Sequence, residues 1–408
     1  MNPDSKHILL VSYEFPPEMA TGGIGTYMYH LSSLLTQAGL SVTVISGTII
    51  RKDVTVCKRS HCENILIPAT TEIIFREKVL EVFIHYFGNN LPDFIESPEV
   101  GACALEIKRK YPQVPLLVKL HSPGVLITKV SNTYQPFLHK LRFVLGALRR
   151  GTIELGYWSR TDKNKAADPE YQICLLADWL YSPSAALKKW VCNYWTIPKE
   201  RITVLPNPFL IDVSLYGYDI TRHTKTICFV GKLTVLKGMY AFTHAVKKIL
   251  LLYQDYNVII AGRDELIPDK KQSMLAWMKC QLSAVSDRVL FTGAICRNEV
   301  NAIMGKSEIC IIPSLWENYP NVVLEAMASG CAVIASDCGG ITELISHQKS
   351  GLLIKPKSVD SIINAIDMLI LDKQKRIAIS SEGRSYIKKI SKDVNHLISS
   401  EYKSICKK

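Results

Sequence analysis

The sequence predicts an α/β protein of two domains, each a parallel β-sheet covered by helices. Short β-branched runs alternate with helical patterns from "HILLVS", which begins at residue 7, to "PLLVKLH", which ends at residue 121. After a turn-rich segment, residues 207–225, the alternation restarts with "TICFVG" and continues to "AVIAS". Such alternation is typical of parallel sheets, and 408 residues exceed what one ordinary core holds.

The predicted domains are both Rossmann-like. The first spans residues 1–205, a linker covers 206–225, and the second spans 226–385. Residues 386–408 are predicted as a C-terminal helix, and its packing back on the first domain is left open. Ligands of such sheets bind beyond the carboxyl ends of the strands, so two facing sheets place the expected site in the cleft between them. Residues directly after strands are therefore the candidates.

The composition excludes several classes of protein. A chain with 48% hydrophobic and 21% charged residues is too apolar for disorder, and no short fixed repeat indicates a solenoid. The twelve cysteines form no CxxC pair, which favours reduced packing residues of a cytoplasmic protein. The sequence shows neither the apolar region of a secretory signal nor a run long enough to span a bilayer.

The formal net charge of +12 indicates an anionic partner. Nucleic acid, an acidic membrane surface and a phosphorylated small molecule all satisfy the charge alone. Much of the excess lies in His139–Arg150 and in the tail after Asp372, where a solvated helix face is the simplest interpretation. The segment 136–160 interleaves aromatic and cationic residues. A cationic helix with one buried face is the favoured interpretation, and a peripheral membrane patch or a lid over an acceptor are the alternatives.

A glycine turn follows the first predicted strand. Gly22 and Gly23 precede a periodic helix, where glycine permits a positive φ and a close backbone approach. The helix start offers unpaired N–H groups and the positive end of the helix dipole, which suit a phosphate. The pattern is not GxGxxG, and such a turn is often only a turn.

Two lysines follow the first strand of the second domain. Lys232 and Lys237 lie in "CFVGKLTVLKGM", at the carboxyl edge of the predicted sheet. Two ammonium groups at this edge could neutralise a diphosphate and stabilise it as a leaving group. For a lysine pair at a random position, a solvated loop is the better explanation. The position of this pair at the sheet edge favours the functional interpretation.

Two glutamates follow the strand "EICIIPS". Glu317 is predicted in a loop over the cleft, and Glu325 in the early turns of the next helix. Carboxylates bind vicinal hydroxyls well, and the N–H groups near Asn321 and Val322, at the helix start, could hold a phosphate. Stabilisation of its own helix dipole is the alternative for Glu325.

In their order, these motifs resemble those of retaining glycosyltransferases of the GT-B fold, family 4. The sequence shows "GGIGTY", "GKLTVLKG", "ENYPNVVLEAMASGCAVIAS" and "GGITELISHQKSGLLIKP". The resemblance is dense over residues 225–356 and sparser in the amino-terminal half. Several motifs in a fixed order are far more specific than any one of them.

The resemblance implies a role for each matching residue. Glu317 and His121 are implied to contact the donor sugar, and Glu325 the ribose. Lys232 and Lys237, with the N–H groups of Asn321 and Val322 at the helix start, are implied to bind the diphosphate. Gly22 and Gly23 match the loop that approaches the diphosphate and the acceptor. No metal ligand and no cofactor other than the nucleotide-sugar substrate is implied.

Some positions depart from the family pattern. Lys232 stands where arginine is frequent, and lysine cannot make a planar bidentate contact with phosphate. Asn318 replaces a frequent glycine, Pro320 has no N–H to donate, and "LPNPFLID" replaces a common linker segment. None of these changes removes a charged group that the chemistry needs.

The expected activity is therefore metal-independent, retaining transfer of a hexose from a nucleotide-diphosphate sugar to a hydroxyl acceptor, in polysaccharide or glycolipid assembly. UDP-sugars are favoured and GDP-sugars come second; the acceptor is a saccharide, a lipid-linked saccharide or a small molecule. The sequence contains no D-x-D motif. The alternatives are a GT-B epimerase or phosphorylase, and a non-catalytic basic scaffold on membrane or nucleic acid. The intact glutamate and lysine pairs favour the enzyme over the scaffold, so nucleic acid is not the expected partner.

Overall fold

A computed structural model of the chain describes residues 6–19, 22–134, 137–152, 165–267 and 272–407. The strands are β1 His7–Ser12, β2 Ser41–Thr48, β3 Thr55–Lys58, β4 Glu63–Pro68, β5 Phe94–Pro98, β6 Leu116–Lys119, β7 Trp179–Ser182, β8 Ile202–Val204, β9 Thr226–Val230, β10 Asn257–Ala261, β11 Val289–Gly293, β12 Ile309–Ile312, β13 Ala332–Ser336 and β14 Leu352–Ile354. The helices are α1 Gly23–Gln37, α2 Glu72–Phe87, α3 Leu105–Lys110, α4 Gly124–Tyr134, α5 Phe137–Arg149, α6 Pro169–Leu176, α7 Ala185–Trp195, α8 Met239–Leu252, α9 Met274–Gln281, α10 Arg297–Lys306, α11 Asn321–Ala328, α12 Ile341–Leu344, α13 Val359–Leu371 and α14 Lys373–Ile405.

The first sheet has eight strands in the order β3-β4-β2-β1-β5-β6-β7-β8. All neighbours are parallel except β3 and β4, which pair antiparallel at the edge. Its central strand β1 runs apolar from Ile8 to Val11 and is fully buried there. A continuous apolar run is expected of a parallel strand with both faces covered.

The second sheet has six strands in the order β11-β10-β9-β12-β13-β14, and all of its pairs are parallel. Its core is formed by apolar residues of β9, β10 and β12 packed against α8 and α13. The two parallel sheets confirm the predicted fold class.

The chain divides into two compact units of mutually contacting residues. The first holds the described residues within Met1–Gly124, Asp162–Leu210 and Ser391–Lys408, and the second those within Val125–Thr161 and Ile211–Ile390. The end of α14 thus groups with the first unit, whereas α5 groups with the second. The functional domain boundaries given above stay predictions. Among the described residues, no helix combines the length and apolarity needed to cross a membrane.

A buried carboxylate fastens the end of α14 within the first unit. Tyr402 donates a hydrogen bond to one oxygen of Glu96, and Tyr27 donates to the other at 2.6 Å. All three side chains are almost fully buried, and Ile398 and Ile405 pack into the same core. Burial raises the pKa of Glu96 to about 7, against the opposing effect of the two hydroxyls. The C-terminal residues are therefore an integral part of this unit.

Replacing Tyr402 with phenylalanine tests this attachment. The change leaves a buried oxygen of Glu96 without its donor, so we expect the free energy of unfolding to fall by about 1–3 kcal/mol. Tyr86→Phe, at a side chain that is 39% exposed, is the matched control and should change stability little. Urea denaturation measures both variants. Equal stability of the two would show that the hydroxyl of Tyr402 does not fasten the helix.

Candidate active site

The topology of the second sheet marks its candidate site. The strand order reverses at β9, which has β10 on one side and β12 on the other. Ligands of doubly wound sheets bind beyond the carboxyl ends of the strands at this point. The loop after β9 carries Lys232 and Lys237, and the loop after β12 carries Glu317. Both predicted motifs therefore flank the switch point.

The structure brings Lys237 and Glu317 together as an ion pair. The ammonium of Lys237 contacts Oε1 of Glu317, and the hydroxyl of Ser314 donates to the same oxygen at 2.7 Å. Their side chains are 26% and 13% exposed, so both remain partly open to solvent. Lys232 is half-buried, and within the described part of the chain no group accepts a hydrogen bond from its ammonium.

Two glycines fix the loop that carries Glu317. Gly238, at φ 74°, lies so close to β12 that a Cβ there would meet the carbonyl oxygen of Pro313 at 1.9 Å. Gly339, at φ 53°, approaches the carbonyl oxygen of Glu317 equally closely, at 1.9 Å for a Cβ. The N–H of Gly340 donates to that same carbonyl at 2.9 Å. Only glycine fits these positions, and they fix the loop at two points, Gly238 at Pro313 and Gly339 at Glu317.

Glu325 lies one turn into α11 and is paired with a cation that the sequence analysis did not identify. The guanidinium of Arg297, the first residue of α10, donates to Oε1 of Glu325 at 2.5 Å. Glu325 is buried, whereas the side chain of Arg297 is 47% exposed. Burial raises the pKa of Glu325, and Arg297 opposes that rise. No local pattern marks Arg297, because the pairing joins elements that are 28 residues apart in the chain.

The loop before α11 and the first residue of this helix carry buried polar atoms that are unpaired within the described part of the chain. Among the described residues, Oδ1 of Asn321 and Nε1 of Trp316 are buried and have no hydrogen-bond partner. Buried polar atoms are normally bonded, so these two are available to a polar ligand. The N–H groups of Asn321 and Val322, in the first turn of the helix, and Nε1 of Trp316 are donors that suit an anion, whereas Oδ1 of Asn321 can only accept a hydrogen bond.

In the first unit, the glycine turn meets a carboxylate. Gly22 caps α1 with an extended backbone, at φ −160°, so the left-handed conformation that the glycine turn suggested is not adopted there. The N–H of Gly25 donates to Oε2 of Glu14 at 3.1 Å, and a Cβ on Gly22 would lie 3.2 Å from that oxygen. A Cβ on Gly23 would meet nothing within 4 Å. A carboxylate of the protein itself thus occupies the anion position at this helix start.

His121 follows β6 and is held by its backbone. Its N–H and that of Ser122 donate to the carboxylate of Glu99 at 2.8 Å each. Its ring lies edge-on to Tyr27, with 4.7 Å between centroids. Burial lowers the pKa of His121 to about 3, and nearby Lys119 lowers it further in the same direction. The imidazole is therefore neutral at physiological pH and can exchange hydrogen bonds without carrying charge.

A second carboxylate supports the same stretch of chain. Glu170 accepts the N–H of Gly124 at 2.8 Å and that of Gly101 at 3.3 Å. Burial raises the pKa of Glu99 to about 8 and that of Glu170 to about 7; the charge of Glu170 adds to the rise at Glu99, and the charge of Asp168 adds to the rise at Glu170. Sequence reasoning missed both. The sequence did offer one signal for Glu99, which lies directly after strand β5. In this sheet the strand order reverses at β1, and β5 is one of the two neighbours of β1.

The raised pKa of Glu99 predicts a pH-dependent stability. A carboxyl whose pKa is higher in the folded than in the unfolded chain stabilises the fold below its unfolded value near 4.5, and this contribution is lost as the pH rises through about 8. Glu99→Gln stays neutral, so its free energy of unfolding should fall less than that of the parent between about pH 5 and pH 9, by roughly 2–4 kcal/mol.

Urea denaturation at several pH values measures this difference. Glu200→Gln, at a side chain that is 70% exposed, is the control and should keep the slope of the parent. Parallel pH profiles for Glu99→Gln and the parent would contradict the assignment.

The chain is similar to known glycosyltransferases. Residues 224–372 match the family described as Glycosyl transferases group 1, and residues 21–212 match Glycosyltransferase Family 4. The chain is 29% identical over 201 residues to an uncharacterized glycosyltransferase of Methanocaldococcus jannaschii, a match covering 46% of this chain and 50% of the relative. It is also 29% identical over 187 residues to the UDP-Gal:alpha-D-GlcNAc-diphosphoundecaprenol alpha-1,3-galactosyltransferase of Escherichia coli, covering 42% and 46%. These matches span about half the length of the relatives or less.

The fold is also found in solved structures. The sucrose-phosphate synthase from Thermosynechococcus elongatus superimposes with a TM-score of 0.77 at 19% identity, covering 98% of this chain and 99% of that one. At this identity the likeness concerns the fold, and it extends over both units.

Proposed function

Because the chain belongs to glycosyltransferase family 4 and has the GT-B fold, we propose that it transfers a hexose from a nucleotide-diphosphate sugar to a hydroxyl acceptor with retention of anomeric configuration. The observation that carries the proposal is the meeting of Lys237 and Glu317 at the switch point of the second sheet. One group suits a diphosphate and the other suits sugar hydroxyls, and they lie in contact.

The ion pair gives the donor two partners at once. When a diphosphate arrives, the ammonium of Lys237 turns to its oxygens, and the carboxylate of Glu317 accepts hydrogen bonds from the sugar instead. Lys232, whose ammonium has no acceptor among the described residues, adds a second positive charge. The N–H groups of Asn321 and Val322 complete the phosphate contacts. These groups stabilise the charge that develops on the departing diphosphate, without a metal ion.

The ribose is assigned to Glu325. Its buried carboxylate has two oxygens, and Arg297 contacts Oε1. A ribose hydroxyl therefore binds Oε2 directly or displaces the half-exposed guanidinium. In the first unit, His121 is proposed to contact the donor sugar in its neutral form, as a hydrogen-bond partner. Gly22 and Gly23 keep their proposed place near diphosphate and acceptor, on the condition that Glu14 gives up the N–H of Gly25.

The proposed reaction has a front-face course. The bond between the anomeric carbon and the diphosphate oxygen breaks first, and the sugar gains oxocarbenium character. The acceptor hydroxyl then bonds to the anomeric carbon on the face that the diphosphate leaves, and its proton passes to a phosphate oxygen of the leaving group. UDP-sugars are the first candidate donors, which the name of the Escherichia coli relative supports, and GDP-sugars are the second. Saccharides and lipid-linked saccharides are the candidate acceptors.

The direct test is release of nucleoside diphosphate from a panel of UDP-, GDP- and ADP-sugars, with and without EDTA. We expect one base to be favoured and EDTA to have no effect. Lys237→Met and Glu317→Gln should each lower the rate by about 100-fold to 1,000-fold, because each removes a contact to the developing charge or to the sugar. Lys389→Met, at an exposed position of α14, is the matched control and should keep the parent rate.

Other outcomes separate the rival functions. Conversion of the donor sugar to its epimer without any acceptor, and no transfer product when acceptors are added, would indicate an epimerase. A product of inverted anomeric configuration in NMR spectra would overturn the retaining course. If no donor were turned over and no nucleotide raised the melting temperature, the enzymatic proposal would fail and a scaffold would be favoured.

A further inference from the structure

We propose that α5 carries a docking surface for an anionic lipid membrane. The surface, called here the α5 face, consists of five exposed apolar side chains: Phe137, Leu138, Leu141, Leu145 and Leu148. The inference concerns where the protein works and goes beyond the proposed transfer reaction. Part of the aromatic and cationic segment predicted from the sequence, at 153–160 and at 136, lies outside the described residues.

The α5 face is a single stripe along the helix. Its side chains are 67%, 64%, 38%, 48% and 55% exposed in chain order. Because each residue of an α-helix advances by about 100°, the five positions fall within an arc of about 100°. Helices on the surface of a globular protein normally turn such an arc toward the core. Here the arc is open to solvent.

The other side of α5 is the side that the protein covers. Ala147 is completely buried, and Phe143 and Val144 are half-buried. These three residues lie outside the arc of the α5 face. The preceding helix α4 is also anchored, since Val130 packs against the core of the second unit. The helix α5 is therefore packed against the protein on its other side, and its apolar stripe is exposed although the helix is not detached.

The charged residues of α4 and α5 are lysines and arginines, and acidic residues are absent from both helices. Residues 124–152 contain five lysines and arginines and no aspartate or glutamate. Arg142 and Arg149 border the arc on one side, and Lys140 lies toward the other border. Long cationic side chains next to apolar ones are typical of helices that lie in a membrane interface, where the apolar residues enter the acyl boundary and the cations reach lipid phosphates.

The positive charge near the α5 face favours a membrane over other binding partners. A second copy of this chain would bring the same cations against each other across a self-complementary contact. A nucleic acid would neutralise the cations but leave the five apolar side chains exposed to water. An anionic bilayer satisfies both requirements. At 13 residues, α5 is about 20 Å long and would lie along the surface.

Vesicle sedimentation tests the proposal with the full chain. The parent should bind vesicles of phosphatidylglycerol and phosphatidylcholine at least tenfold better than vesicles of phosphatidylcholine alone, and high salt should weaken that binding. Leu141→Ser with Leu145→Ser should lower the binding at least tenfold. Arg142→Glu with Arg149→Glu should abolish the preference for the anionic vesicles.

The matched control is Leu252→Ser with Lys248→Glu on α8, where Leu252 is 64% exposed and Lys248 is exposed. It should bind vesicles like the parent, and all variants should keep the melting temperature and the donor hydrolysis of the parent. Three results would each overturn the inference: no binding of the parent to anionic vesicles, equal binding of the α5 variants, or a dimer without lipid that Leu141→Ser with Leu145→Ser dissociates. Lipid binding is measured without turnover of a donor. The membrane proposal can therefore fail while the transferase proposal stands, and the transferase proposal can fail while the membrane proposal stands.

Discussion

The candidate site in the second unit depends on the close approach of two glycines to the loop after β12. Gly238 and Gly339 each bring backbone to a carbonyl of Pro313–Glu317, at distances that admit no Cβ. The loop is thereby fixed relative to the loop after β9, which ends at Gly238. Lys237 and Glu317 face each other because their backbones have no freedom to separate. The side chains can still exchange partners, which is what a site for a charged substrate requires.

The glutamates of the two units differ in the groups that they contact. In the second unit, Glu317 and Glu325 each meet a cation on a flexible side chain, and both cations are partly exposed. In the first unit, Glu99 is completely buried and Glu170 is half-buried, and both accept hydrogen bonds from backbone N–H groups. The former arrangement can yield to a ligand, whereas the latter fixes the chain. This contrast is the physical reason for assigning binding to one set and positioning to the other.

Much of the architecture could be predicted from the sequence, because buried parallel strands are continuous apolar runs and the chain repeats them with helical patterns between. The placement of Lys237 and Glu317 after strands, at the edge where ligands bind, followed from the same logic. Their ion pair did not, because only the structure shows that β9 and β12 are neighbours. Arg297, Glu14 and Glu99 could not be found in this way, because their partners are set by tertiary packing. The orientation of α5 was also open, since the pattern gives the arc of apolar residues but not which side the protein covers.

The central claim is that the loops after β9 and β12, with the start of α11, bind the donor nucleotide. A crystal structure of the protein with the nucleoside diphosphate that it releases would test it most directly. The account predicts the diphosphate against the ammonium of Lys237 and the first N–H groups of α11, with a ribose hydroxyl on Glu325. A nucleotide bound elsewhere, with the pairs of Lys237 with Glu317 and of Arg297 with Glu325 unchanged, would contradict it.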